Sequence, residues 1–144
     1  MELFHFFQEG HLRGIKLGSL ETDVYRVFTS CEIDKLPMDD IGDLYTLVIK
    51  PAEFHIFEGV VTNIIIQPGY ANPKEPLFLS GDVFATDNHL TKPEAMKMMD
   101  DVGIKNWAIP SMTEGVKLLM TEGHASLEFL PNKDEFHLER IHLA

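Results

Sequence analysis

Histidines and carboxylates hold most of the acid–base and metal-binding chemistry open to this chain, which carries seven His, twenty-three Asp and Glu, and one Cys. Their spacing limits that chemistry. His137 and His142 are five residues apart, which on a regular strand sends them to opposite faces and away from a shared metal. Phe136/Leu138 and Ile141/Leu143 are out of phase, so a bulge near Glu139-Arg140 could realign the two rings. His55 sits in the second strand of the first half and His124 at the start of its counterpart, an arrangement that could form a cross-sheet cluster. With His137 they are the first residues to suspect should a metal be found. The adjacent pairs Asp39-Asp40 and Asp100-Asp101 read as solvated side chains. No GxSxG elbow, GxxxxGK[ST] loop or GxGxxG turn occurs, and no HExxH or CxxC pair offers a zinc site. Cys31, being single, excludes an intrachain disulfide and a multi-cysteine site. Without basic neighbours it reads as inert. The sequence therefore predicts a non-enzyme with no catalytic residues, no cofactor and no bound metal.

Charge narrows the partners. Twelve Lys and Arg against twenty-three Asp and Glu leave a net charge of −11. Such a chain repels phosphate backbones and anionic membrane surfaces, so neither nucleic acid nor membrane is expected to bind directly. A basic protein would instead be drawn in. The acidity concentrates between residues 31 and 43, where Glu32, Asp34, Asp39, Asp40 and Asp43 face the single Lys35. This segment reads either as a solvated loop or as a negative lobe that enters a basic groove. Tyr45, Tyr70 and Trp107 are the aromatic side chains able to anchor such an interface. The N-terminal run Leu3–Phe7 is apolar but interrupted by His5, and reads as a strand rather than a signal peptide. No apolar run reaches the ~20 residues of a membrane helix. Together with the lone cysteine, these features predict a cytoplasmic protein.

The elements that must position these residues follow one plan twice. Ser19 reads as the N-cap of a helix whose apolar face is Leu20, Val24, Val27 and Phe28. Three strand-like runs follow, at 44–49, 53–57 and 60–66, separated by Pro51-Ala52 and Glu58-Gly59. A Pro/Gly-rich connection at 67–76 divides the chain and leads to a short strand at 77–79. Thr91-Lys-Pro-Glu94 then opens a second helix, with a Thr cap, Pro in the first turn and Glu placed for a capping box, and Gly103 ends it. Runs at 116–121, 125–130 and 135–143 complete the second series. Met96, Met98, Met99 and Met120 read as core filler. An offset of about 72 lays Ser19 on Thr91, Val24 on Met96, Val27 on Met99 and Leu47 on Leu119. One further residue of slip lays Phe54 on Leu127 and Ile56 on Phe129. The expected architecture is a single α+β domain over 1–144. Its pseudo-repeats, 15–66 and 88–143, each run from a helix into three antiparallel strands and carry the signature of an internal duplication.

Gly14-Ile-Lys-Leu-Gly18 followed by Ser19-Leu-Glu-Thr-Asp-Val24 resembles the strand–turn–helix opening of many small bacterial immunity proteins, which neutralise polymorphic or contact-dependent toxins inside the producing cell. The tandem helix-then-meander plan is also similar to that of the β-lactamase inhibitor protein. In the second half Asn88-His-Leu90 stands where the glycine of the motif belongs. The resemblance implies inhibition by occlusion: a cytosolic protein that covers a cognate toxin, such as a nuclease with a basic active site. Glu32, Asp34, Asp39, Asp40, Asp43, Tyr45 and Trp107 are the candidate contact residues. Two alternatives stand beside it, a small-ligand-binding or enzymatic α+β domain, and a structural homodimer pairing through exposed strand edges.

Overall fold

The computed structural model describes residues 1–38, 42–69, 75–87, 89–133 and 135–144. The N-terminal run is a helix, α1 (Phe4–Glu9), rather than a strand. Phe6 and Phe7 are adjacent and both fully buried, which the two faces of a strand packed on one side would not allow. Gly10 closes the helix in the left-handed conformation, φ 75°. Just beyond, Gly123 N donates to Phe7 O at 2.8 Å. A Cβ on Gly123 would lie 2.6 Å from Gly10 N and 2.7 Å from Phe7 O, so only glycine lets this turn meet the helix end.

α2 (Glu21–Val27) starts one residue later than its sequence signal. Leu20 is its N-cap, and the Ser19 hydroxyl instead accepts from Lys16 N in the preceding turn. Four antiparallel strands follow: β1 (Asp34–Pro37), β2 (Leu44–Ile49), β3 (Ala52–Phe57) and β4 (Val60–Ile66). The acidic segment is thus in part an edge strand, placed by its pairing with β2 and not by its composition. β5 (Leu77–Leu79) and β6 (Asp82–Ala85) form a separate hairpin through Ser80-Gly81, both at positive φ as a tight hairpin turn demands. α3 (Lys92–Asp101) carries the capping box read from the sequence: Glu94 N donates to Thr91 Oγ1, and Thr91 N to Glu94 Oε1. After it come β7 (Asn106–Ile109), β8 (Lys117–Thr121), β9 (Ser126–Asn132) and β10 (Glu135–Leu143).

These eight strands make one sheet in the order β1-β2-β3-β4-β10-β9-β8-β7. Each half is a helix followed by a four-stranded meander, one strand more than expected, and the halves join where β4 meets β10. The repeat extends to details. The N-cap residues Leu20 and Thr91 each form a bridge to the last strand of their half, at Val60 and His137. Val61 N donates to Ser19 O at 2.8 Å, and Leu138 N to Leu90 O at 2.7 Å. One residue later both strands bulge, at Thr62 and at Glu139, where the register to the neighbouring strand slips. Leu47, Phe54 and Ile56 coincide with Leu119, Leu127 and Phe129, and all six are fully buried. In the helices the true offset is 71, so Val24 lies on Ala95 and Phe28 on Met99, again all buried. The repeat of plan is therefore present in the structure.

One apolar core holds these parts together. Phe6 and Phe7 of α1, Val24 of α2, and Ala95 and Met99 of α3 all join a cluster with the inward side chains of the sheet and with Leu77, Leu79 and Phe84 of the hairpin. Burying each of these side chains larger than alanine contributes about 1.5–3 kcal/mol. Among the described residues, the buried side chains of all three helices meet this same sheet face.

Candidate functional site

The opposite face of the sheet is the feature that remains. Strand alternation and register carry a row of side chains across all eight strands: Asp34, Val48, Glu53, Ile65, His142, Ser126, Met120 and Trp107. Val48 and Ile65 are buried, yet neither belongs to the core cluster. The ends of the face are apolar and open: Leu36 is 50% exposed, Phe57 44% and Trp107 44%.

Its middle is polar. His55 Nε2 lies 3.8 Å from Glu53 Oε2, and Arg140 Nε lies 3.9 Å from Glu128 Oε2. His142 opposes Ile65 on the seam between the halves, and its Nε2 is 3.2 Å from Asn63 Nδ2. Burial, reinforced by Arg140 and His55, pushes the His142 ring below the ordinary histidine pKa, so it is neutral at pH 7. The middle strands then present Glu53 and Glu128 beside Arg140, and Asp34 stands on the edge strand β1.

The residues singled out from the sequence divide. Asp34 and Trp107 lie at opposite ends of the same row, a relation that only the register reveals. Glu32 and Asp43 are exposed, Glu32 ahead of β1 and Asp43 in the connection between β1 and β2. Asp39, Asp40 and Tyr70 lie outside the described residues. Tyr45 is not an anchor on the open face, because it pairs with Ile56 and so points to the helix side. There its hydroxyl donates to the Glu21 carboxylate. Burial, and then Glu21, raises its pKa above that of an ordinary phenol, and the same two causes raise Tyr25.

The metal suspects are not brought together. His55 sits on the open face, His124 in the β8–β9 turn at φ 65°, and His137 beside Glu135 at 3.3 Å. A different group converges at the end of α1, where His5, Glu9 and His11 place ligand atoms within 4.8 Å of one another. The sequence reading missed it because a strand would have held His5 and Glu9 far apart. The donor set suits an imidazole-preferring ion such as Zn²⁺, but its hydrogen bonds already occupy it. Gly14 N donates to His11 Nδ1 at 3.1 Å, which leaves the ring proton on Nε2, 3.0 Å from Glu9 Oε2. That bond to His11 leads the causes holding the Glu9 carboxyl below its usual pKa. An ion bound through His11 Nε2 would have to displace the Gly14 contact.

Among the described residues no helix is long and apolar enough to cross a membrane. Comparison with protein-family models, with curated proteins and with solved structures finds no match for this chain.

Proposed function

We propose that this chain is a non-enzymatic binding protein of the immunity type, which occludes a cognate protein toxin in the cytoplasm with the open face of its eight-stranded sheet. The observation that carries the reading is the row from Asp34 to Trp107. It runs across all eight strands on the side away from the helices, with exposed apolar side chains at Leu36, Phe57 and Trp107 and carboxylates at Asp34, Glu53 and Glu128. Large aromatic and aliphatic side chains supply the central energy of an interface, and Trp107 is the strongest such anchor here. Three carboxylates on this face, in a chain of net charge −11, favour a basic surface such as a nuclease active site. The acidic segment supports the same reading in altered form, since Asp34 contributes through the edge of the sheet and not as part of a free loop.

The test is protection. The product of a neighbouring toxin gene should arrest growth when expressed alone, and co-expression of this chain should relieve the arrest. Trp107→Ala combined with Glu53→Lys should abolish relief, since an anchor of this kind is worth about 2 kcal/mol or more and the reversed charge faces a basic partner. Tyr45→Phe, on the other face, should still protect. Failure of the unaltered chain to protect or to form a complex with that product would overturn the reading.

A further inference from the structure

The two halves place different side chains on equivalent backbone at the helix N-termini, and in the second half a groove opens there. In the first half Glu21 opens α2, accepts from the Tyr45 hydroxyl, and lies 3.6 Å from Lys35 Nζ. Lys35 Nζ in turn stands 3.9 Å from the centre of the Tyr45 ring. Carboxylate, ammonium and phenol fill that corner. The helix offset of 71 puts Lys92 at the place of Glu21 and Met96 at the place of Tyr25. Strand register puts Lys117 at the place of Tyr45 and Ala108 at that of Lys35. The anion has become a cation, and the phenol ring is gone. What remains is a groove of about 450 Å³ with Pro93, Met96 and Phe136 as its apolar lining and Lys92 and Lys117 at its polar side.

Its electrostatics are unusual for this molecule. Carboxylates outnumber cationic side chains almost two to one, yet among the described residues neither lysine has a carboxylate within 4.0 Å. Lys117 Nζ lies 4.2 Å from the centre of the Phe136 ring, a cation–π contact that holds the charge at the groove. Glu135, the carboxylate in the lining, is engaged by His137 Nε2 at 3.3 Å.

We propose that this groove binds a small aromatic carboxylate. The ring takes the space that the Tyr45 ring fills in the first half, against Met96 and Phe136, where thioether–aromatic and ring–ring contacts favour it over an aliphatic group. The carboxylate goes to the Lys92 and Lys117 ammonium groups, supplying the negative charge that Glu21 supplies to Lys35. The site lies on the helix side of the sheet, away from the open face, and does not depend on it.

Titration of the ¹⁵N-labelled chain with 4-hydroxyphenylacetate, followed by amide shifts, tests this directly. Saturable shifts are expected at Thr91–Met96, Lys117 and Phe136, with a Kd on the order of 1 mM or tighter. The uncharged 4-hydroxyphenylacetamide and the non-aromatic cyclohexylacetate should each bind about ten-fold more weakly. Lys92→Gln and Lys117→Gln should each weaken binding by a similar factor, while Lys97→Gln, which removes only an exposed ion pair with Asp101, should leave it unchanged. The double substitution Lys92→Glu and Lys117→Tyr rebuilds part of the first-half corner and should abolish binding with the fold intact. Absence of saturable shifts in the groove, equal shifts with the amide, or binding that survives the double substitution would each overturn the proposal.

Discussion

At the N-terminus of α2, Glu21 gathers a phenol and an ammonium into a closed corner. At the N-terminus of α3, the same backbone positions carry Lys92, Lys117 and Ala108 around an open groove. Around both corners the scaffold is unchanged. Each helix has an acidic side chain in its first turn reaching back to the N-cap amide, Asp23 to Leu20 N at 3.3 Å and Glu94 to Thr91 N at 3.2 Å. Each half bulges one residue after its strand-to-cap hydrogen bond. The comparison separates two kinds of constraint. Positions that set backbone geometry or meet the shared core are held alike in the two halves, because a change there costs packing or an unmade hydrogen bond. Positions at the rim of the core differ, and there the first half carries Glu21 where the second carries Lys92.

The largest expected effect lies in what the halves share. Leu47→Ala and Leu119→Ala remove equivalent, fully buried side chains, and each should cost about 2–5 kcal/mol in urea unfolding. Because both face the same core, the two losses should agree within about 1 kcal/mol and leave one cooperative transition. Two separate transitions would show that the halves are held by different cores.

A smaller effect should appear where they differ. Tyr45→Phe leaves the Glu21 carboxylate without its phenol and should cost about 1.5–3 kcal/mol, whereas Lys117→Gln at the equivalent place should stay within ~0.5 kcal/mol. Glu21→Gln should bring the Tyr45 and Tyr25 phenols down toward their ordinary pKa, read by ultraviolet titration. If Tyr45→Phe and Lys117→Gln have equal effects, the closed corner stabilises nothing.

The smallest effect belongs to the seam. The folded pKa of His142 is depressed, so above the ordinary value of 6.5 the ring is neutral in both folded and unfolded chains and contributes no penalty. Below 6.5 the unfolded chain takes up the proton first, and stability falls until the folded pKa is reached. Between pH 7.5 and 5.5 the unaltered chain should therefore lose more stability than His142→Gln. Equal losses in the two chains would remove His142 from the account.

How far the sequence could be read follows from these same residues. Thr91-Lys-Pro-Glu94 announced α3 because its signals are local. The strands at 44–49, 60–66 and 135–143 were legible for a similar reason, since turn residues and β-branched runs bound them. The strand β1 was not, as its four residues are all exposed and only pairing with β2 makes them a strand. For α1 the run Phe4-His-Phe-Phe fits a strand equally well, and what selects the helix is docking of its end on Gly123, 113 residues beyond Gly10 in the chain. The facing of Tyr45 was hidden because Leu44-Tyr-Thr-Leu-Val-Ile49 is apolar in both phases. The groove was hidden by one residue. At an offset of 72 Glu21 falls on Pro93, and only the true helix offset of 71 lays it on Lys92 and exposes the inversion of charge.

The central claim, that the open face of the sheet is the working surface, is tested most directly by hydroxyl-radical footprinting of the chain alone and in complex with the toxin proposed as its partner. Trp107, Met120 and Phe57 report the open face, while Tyr25 and Met96 report the helix side. The account predicts that Trp107, Met120 and Phe57 become protected in the complex, with Tyr25 and Met96 oxidised as before. Protection of Tyr25 and Met96 with Trp107 and Met120 unchanged would contradict it.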